Sequence, residues 1–229
     1  LHDALPIYVE REGRFMRYKA NIPLAVVEAG PGNAATQTIN PPSITVTAVD
    51  GYTTSFDYKL ALANGGASGL VTTVGNFPIT LEVSPDGKTI TGTYNDGTQH
   101  TAFTLVVNGN QVTLTSNVAL EHDNNQGPAE SNTLDLNGKI NLVATVTATD
   151  GDNDSVVSAK SSAASLSLTF QDTDPTLTIN TGPSVGPMTT VETAFANALS
   201  YGVGQITAPT FTANAVDGFT TKIDYALSI

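Results

Sequence analysis

From Ser43 onward the chain alternates apolar and polar residues with a period of two. The clearest runs lie at 44–49, 79–83, 104–107, 112–115 and 142–148 and are rich in Thr, Val, Ile and Leu. Successive side chains of a strand point to opposite faces, so each run predicts a strand with one buried and one wetted side, as in antiparallel sheets. Between the runs stand Pro85-Asp86-Gly87-Lys88, Asn95-Asp96-Gly97, Asn108-Gly109-Asn110 and Asn137-Gly138. Gly and Asn accept the positive φ that tight hairpin turns require. Only residues 191–199 break the pattern, with apolar positions three and four apart behind a Thr-rich start, and they predict a short helix. The expected fold is all-β, an immunoglobulin-like antiparallel β-sandwich.

An internal repeat organises the chain. Ala48-Val49-Asp50-Gly51-Tyr52-Thr53-Thr54-Ser55-Phe56-Asp57-Tyr58-Lys59-Leu60 returns 167 positions later as Ala215-Val216-Asp217-Gly218-Phe219-Thr220-Thr221-Lys222-Ile223-Asp224-Tyr225-Ala226-Leu227, with nine of thirteen residues identical. A weaker echo, Val146-Thr147-Ala148-Thr149-Asp150-Gly151, follows Val46-Thr47-Ala48-Val49-Asp50-Gly51 by 100 positions. A period near 167 signals a string of domains rather than a solenoid, whose units run to about 20–45 residues. The second copy is expected to begin near residue 210 and to continue past the end of the chain. The repeated Tyr58 and Tyr225 are both expected in cores.

Charge adds a boundary. The chain carries 9 basic and 21 acidic side chains, a net charge of −12. All three arginines, Arg11, Arg14 and Arg17, lie in the first thirty residues, where the signs balance; from Pro31 onward five lysines face seventeen carboxylates. The opening Leu1-His2-Asp3-Ala4-Leu5-Pro6-Ile7 looks like a string found in translated sequencing adapters, which reads as an artefact; a native edge strand and linker is the other reading. The expected organisation is therefore an atypical segment at 1–30, a linker at 31–43, a β-sandwich repeat at 44–180, a linker with a short helix at 181–209 and the start of the next repeat at 210–229. Such acidity argues against nucleic acid or anionic lipid as partner, since both are held mainly by Lys and Arg. No apolar run reaches the ~20 residues of a membrane helix. With no Cys, disulfides, thiolate metal sites and thiol nucleophiles are excluded.

The densest candidate chemistry is Asp150-Gly151-Asp152-Asn153-Asp154, followed by Gln171-Asp172-Thr173-Asp174-Pro175. Alternating oxygen donors in a tight loop suit Ca²⁺, which takes about six to eight oxygens at ~2.3–2.6 Å. The candidate ligands are Asp150, Asp152, Asn153 and Asp154, with Asp172 and Asp174. The loop is not an EF-hand, because Ser155 stands where Gly is needed and no bidentate Glu follows. An Asp- and Gly-rich solvated turn guarding a sheet edge is the competing reading. Asp50 and Asp217 are weaker candidates, since Tyr52 and Phe219 replace the second carboxylate. No catalytic constellation is written: His2, His100 and His122 lack metal-binding spacing, no Gly-x-Ser-x-Gly elbow exists, and Gly202-Val203-Gly204 lacks a third glycine. Glu121-His122-Asp123 reads as structural. Thr145, Thr147 and Thr149 share a strand face, as Thr176 and Thr178 do, which suits the pleat more simply than a ligand surface.

The ordered series Leu120-Glu121-His122, Thr147-Ala148-Thr149-Asp150-Gly151-Asp152-Asn153-Asp154 and Phe170-Gln171-Asp172-Thr173-Asp174-Pro175 resembles the repeat domains of giant repeats-in-toxin (RTX) adhesins and exoproteins exported by bacterial type I secretion. Their usual wording is close to Leu-x-His, Thr-Ala-Thr-Asp-Gly-Asp-Gly-Asp and Phe-x-Asp-Asp-x-Pro; this chain departs at Asn153 and at Thr173-Asp174. The resemblance covers roughly residues 44–180 and the restart after 210. It implies a non-enzymatic, extracellular extender repeat of a surface adhesin in cell adhesion and biofilms, stiffened by Ca²⁺ and flanked by neighbouring repeats of the same chain. The alternative it leaves open is a ligand-binding module for a glycan or host surface, built on loops such as 64–76 or Asn124-Asn125-Gln126-Gly127.

Overall fold

A computed structural model describes residues 8–10, 22–27, 32–122, 133–157, 164–172, 175–190, 201–215 and 218–227. In chain order the strands are β1 (Tyr8–Glu10), β2 (Pro23–Val27), β3 (Asn33–Thr38), β4 (Thr45–Thr47), β5 (Tyr52–Leu62), β6 (Ala67–Val71), β7 (Pro78–Val83), β8 (Thr89–Asn95), β9 (Gln99–Asn108), β10 (Gln111–Ser116), β11 (Thr133–Asp135), β12 (Ile140–Asp150), β13 (Ser155–Val157), β14 (Ala164–Ser165), β15 (Ser167–Gln171), β16 (Thr176–Thr181), β17 (Ser184–Val185), β18 (Ile206–Thr207) and β19 (Thr210–Asn214). No helix occurs among the described residues, and the helix expected at 191–199 lies outside them. The chain divides into two compact units, Leu1–Thr173 and Asp174–Ile229.

The first unit is the all-β sandwich that the alternation predicts. Its largest sheet runs β3-β10-β9-β8-β7-β6 and is antiparallel throughout. From β6 to β10, neighbours in space are neighbours in sequence, because short turns join them. Gly87, Gly97 and Gly109 take the positive φ foreseen for those turns. A three-stranded sheet orders β11-β15-β2, and β12 pairs with β5, β13 and β14. The β2–β15 pair is parallel, with Leu24 opposite Leu168, which is possible because the two strands are far apart in sequence.

The inward rows of these sheets share one core. Leu24, Ile39, Ile90, Phe103, Leu105, Leu114, Leu136, Ile140, Leu142, Leu168 and Phe170 are all buried in it. Ile22, Leu24, Val26 and Ile39 belong to that core, so the domain begins well before residue 44. The segment 31–43, expected as a linker, instead supplies β3, which pairs with β10 from Asn33 opposite Ser116 to Thr38 opposite Gln111. The change of charge at residue 30 is a change of composition along the chain; burial, which defines the domain, already takes in the short apolar alternation Ile22, Leu24, Val26 before it. At the other end the unit closes at Thr173 rather than at 180.

The second unit pairs β16 with β19 and β17 with β18. β19 stands in the repeat where β4 stands, and each takes one antiparallel partner: Tyr8 faces Thr47, and Thr176 faces Asn214. The first copy continues from there into the eleven-residue β5, whereas residues 218–227 form no strand. Tyr58 is accordingly buried at 3% exposure and Tyr225 is not, at 48%. The expectation of a core position for Tyr225 is corrected by the absence of a pairing strand beside it among the described residues.

Gly92 is the tightest packing constraint in the large sheet. It sits directly across from Phe103, whose ring is fully buried and meets Phe170 at 5.0 Å between centroids. A Cβ on residue 92 would lie 2.5 Å from Cε1 of Phe103, so any side chain displaces the ring from the core. Gly92→Ala is expected to cost about 1–3 kcal/mol through overpacking, read as a lower urea midpoint at unchanged m-value; an unaltered midpoint would mean that the ring has room to move.

Candidate metal centre

β12 presents Ile140, Leu142, Ala144, Val146 and Ala148 to the interior on its even-numbered side, and Asp150 is the next residue on that side. The strand's own periodicity therefore carries a carboxylate to the end of an apolar row, where it is 8% exposed. Strand β5 pairs with β12 along its whole length, from Leu62 opposite Ile140 to Tyr52 opposite Asp150. Continuing that register past the ladder sets Gly51 beside Gly151 and Asp50 beside Asp152. The two Asp-Gly echoes of the sequence thus meet across an antiparallel pair.

Local chemistry shapes this tip. Asp150 N–H donates to the carbonyl of Asp154 at 3.0 Å, Asn153 N–H to the carbonyl of Asp150 at 3.3 Å, and Asp154 N–H to Asp150 Oδ1 at 2.9 Å. Asn153 has φ 74°, the left-handed conformation that closes a short hairpin and that Asn tolerates better than other side chains bearing a Cβ. The substitution of Asn153 for the glycine of the resembled motif keeps the turn. Gly151 is required for a different reason: a Cβ there would lie 2.8 Å from the carbonyl oxygen of Asp50 and 2.9 Å from its Oδ2.

The result is a trio, Asp50, Asp150 and Asp152, with one carboxylate oxygen from each lying within 4.8 Å of the others. Two ligands on opposite sides of a Ca²⁺ ion stand about 4.6–5.2 Å apart at its usual bond lengths, so the spacing and the all-oxygen donor set fit a hard cation. Among the described residues no basic side chain pairs with the three. Hydrogen bonding to Asp152 raises the pKa of Asp150, and burial raises it further, against the lowering effect of the Asp154 N–H.

The sequence-derived ligand set is regrouped by the fold. Asp150 and Asp152 come together. Asn153 and Asp154 serve the turn, and neither they nor Asp172 belong to the trio; Asp174 lies outside the described residues. Asp50, ranked low for want of a neighbouring carboxylate, finds one across the ladder instead. The signal for it was the 100-residue echo, whose two Asp-Gly pairs come together at the end of the β5–β12 ladder. Of the other candidates, His122 is buried, Asp123 lies outside the described residues, and Thr149 bonds Ser155 through their hydroxyls at 2.8 Å.

A second feature lies on the large sheet. Tyr94 stacks with Phe77, at 6.2 Å, and with His100, at 5.2 Å. His100 Nε2 lies 3.1 Å from Asp96 Oδ1, whose pKa is lowered chiefly by the backbone N–H of Thr98. Beside this stack runs an open groove of about 390 Å³ lined by Pro78, Thr80, Glu82, Thr93, Tyr94 and Gln99.

Fold and tip together define an all-β sandwich module whose longest two-strand ladder ends in a carboxylate trio. The chain belongs to the family described as Domain of unknown function (DUF5801), whose model matches residues 24–161. That span opens within β2, ends just past β13 and includes all three aspartates. No curated protein and no solved structure matches the chain.

The trio has a pH signature. A carboxyl whose pKa rises on folding favours the folded state when protonated, so without a cation the contribution of Asp150 is complete below the ordinary 3.8 and is lost as pH rises through the raised value. In Asp152→Asn the like charge is gone, and the Asp150 titration, followed by carboxyl NMR, is expected to move down toward the ordinary value. An unchanged titration would assign the shift to burial alone.

Proposed function

We propose that this chain is a structural extender repeat of a large secreted bacterial surface adhesin, stiffened by Ca²⁺ bound at Asp50, Asp150 and Asp152. Its role is mechanical and non-enzymatic, its place is outside the cell, and its partners are neighbouring repeats of the same chain. The observation that carries this reading is the register that brings both Asp-Gly ends of the β5–β12 ladder into one trio. A cation there ties the bend before β5 to the hairpin after β12 and removes the repulsion between three carboxylates. The 167-residue repeat and the resemblance to RTX adhesins support the extender role. No helix among the described residues is long and apolar enough to cross a membrane.

Calorimetric unfolding tests it. With Ca²⁺ at about 100 times its dissociation constant, the midpoint of the full chain is expected to rise by roughly 5–10 °C over the chelated protein. Asp152→Asn should lose most of that rise, and Mg²⁺, which demands tighter octahedral geometry, should not reproduce it. A midpoint indifferent to Ca²⁺ would leave the trio as a solvated turn and remove the stiffening mechanism.

The Tyr94 stack favours a second reading, a glycan-binding module of the same kind of adhesin. Sugars lay their C–H faces on aromatic rings, and Glu82, Gln99 and Thr80 offer hydrogen-bond partners beside this one. On this reading, Tyr94→Ala lowers binding to a responsive glycan on an array at least about tenfold, the loss of one good aromatic contact. Equal binding by variant and wild type would dismiss it.

A further inference from the structure

The second copy of the repeat carries one half of an interface whose other half is visible in the first. β5 is held by β12 on one side, while its carbonyls and side chains meet the turn after β7 on the other: Leu60 N–H donates to Gly87, and Lys88 Nζ bonds both Asp57 and the carbonyl of Tyr58. Under that cover Tyr58 and Leu60 are each only 3% exposed. The equivalent residues of the second copy keep the same chemistry, with Ile223 for Phe56, Asp224 for Asp57, Tyr225 for Tyr58 and Leu227 for Leu60. They are left in the open: Ile223, Tyr225 and Leu227 are 41%, 48% and 102% exposed, and Asp224 turns to Lys222 at 3.0 Å. Within this unit Leu177, Ile179, Pro209 and Phe211 join Ile223 and Tyr225 along an apolar groove of about 470 Å³.

We propose that residues 219–227 are a docking edge for an antiparallel strand of the β12 pattern, apolar at alternate positions and ending in Asp-Gly-Asp. The occupant is identified by continuity with the interface already formed in the first copy. Of the nine edge residues, five are identical to their counterparts in β5 and two more are conservative, Phe219 for Tyr52 and Ile223 for Phe56. The register of β5 on β12 therefore transfers: Ile223 faces a residue like Val146, Tyr225 one like Ala144, and Leu227 one like Leu142. Main-chain hydrogen bonds supply the attraction, and the alternate apolar row sets the register, since a one-residue slip would turn every inward side chain to solvent. No strand among the described residues pairs with this edge, and the Asp217-Gly218 that precedes it repeats Asp50-Gly51, so the docked strand would bring a second set of carboxylates to an equivalent place. The inference rests on the repeat reading of the chain and is independent of Ca²⁺.

The test uses the full chain and a synthetic peptide of residues 140–150, in chelator so that failure of the Ca²⁺ mechanism cannot affect it. Saturable binding is expected, with amide exchange over 219–227 slowed at least about tenfold. A peptide carrying Ala144→Asp, which sets a charge opposite Tyr225, and the full-chain variant Tyr225→Asp should each abolish the protection, while the midpoint of the first unit stays unchanged. Absence of protection at 219–227, or protection shifted to 52–62 by exchange with β12, would overturn the proposal. So would concentration-dependent protection without peptide, which would assign the edge to a second copy of the chain.

Discussion

The eleven-residue pairing of β5 with β12 is the constraint on which the rest of the molecule depends. It is the longest ladder in the chain, it joins segments about ninety residues apart, and it lines one wall of the core with Tyr58, Leu60, Ile140, Leu142, Ala144 and Val146. An antiparallel ladder has one register that keeps both apolar rows inward. Once that register is set, the residues just beyond its end have no freedom of placement. Gly51 must meet Gly151 and Asp50 must meet Asp152, whether or not three carboxylates are comfortable together.

That discomfort is what gives the tip its chemistry. Strand periodicity puts Asp150 on the buried side, Asp152 holds it by a hydrogen bond that favours the protonated form, and Asp50 completes the trio from the opposite strand. No lysine or arginine among the described residues offsets them; Lys88, which reaches β5 from the turn after β7, is committed to Asp57 and the Tyr58 carbonyl. The remaining ways to relieve such a site are protons or a hard cation, and the proposed extracellular role would expose it to the second. On the proposed reading, a tip whose repulsion a cation relieves is the joint of a mechanical repeat.

The same ladder explains the contrast between the two copies. β5 and residues 219–227 differ little in sequence, yet one is a core strand and the other an exposed edge. Intrinsic propensity is equal in both; what differs is a partner strand and the turn at Gly87-Lys88 that covers the first copy. Strand formation here is a property of the pair, in keeping with the context dependence of β preference.

Much of this was legible in the sequence. Period-two alternation and the Gly- and Asn-bearing turns determined an all-β antiparallel fold, because side-chain direction and positive φ are local properties. The same locality made Asp150 and Asp152 visible as candidate ligands. Domain limits were less legible: the charge step at residue 30 drew attention away from Ile22, Leu24 and Val26, whose burial depends on β15, well over a hundred residues away. Asp50 lay beyond local reasoning altogether, since its neighbour across the ladder is supplied by a strand about a hundred residues on. Sequence by itself determined which residues alternate, turn and carry charge; tertiary structure alone decided which of them meet, because register between distant strands is chosen by the burial of whole rows at once and not by any residue singly.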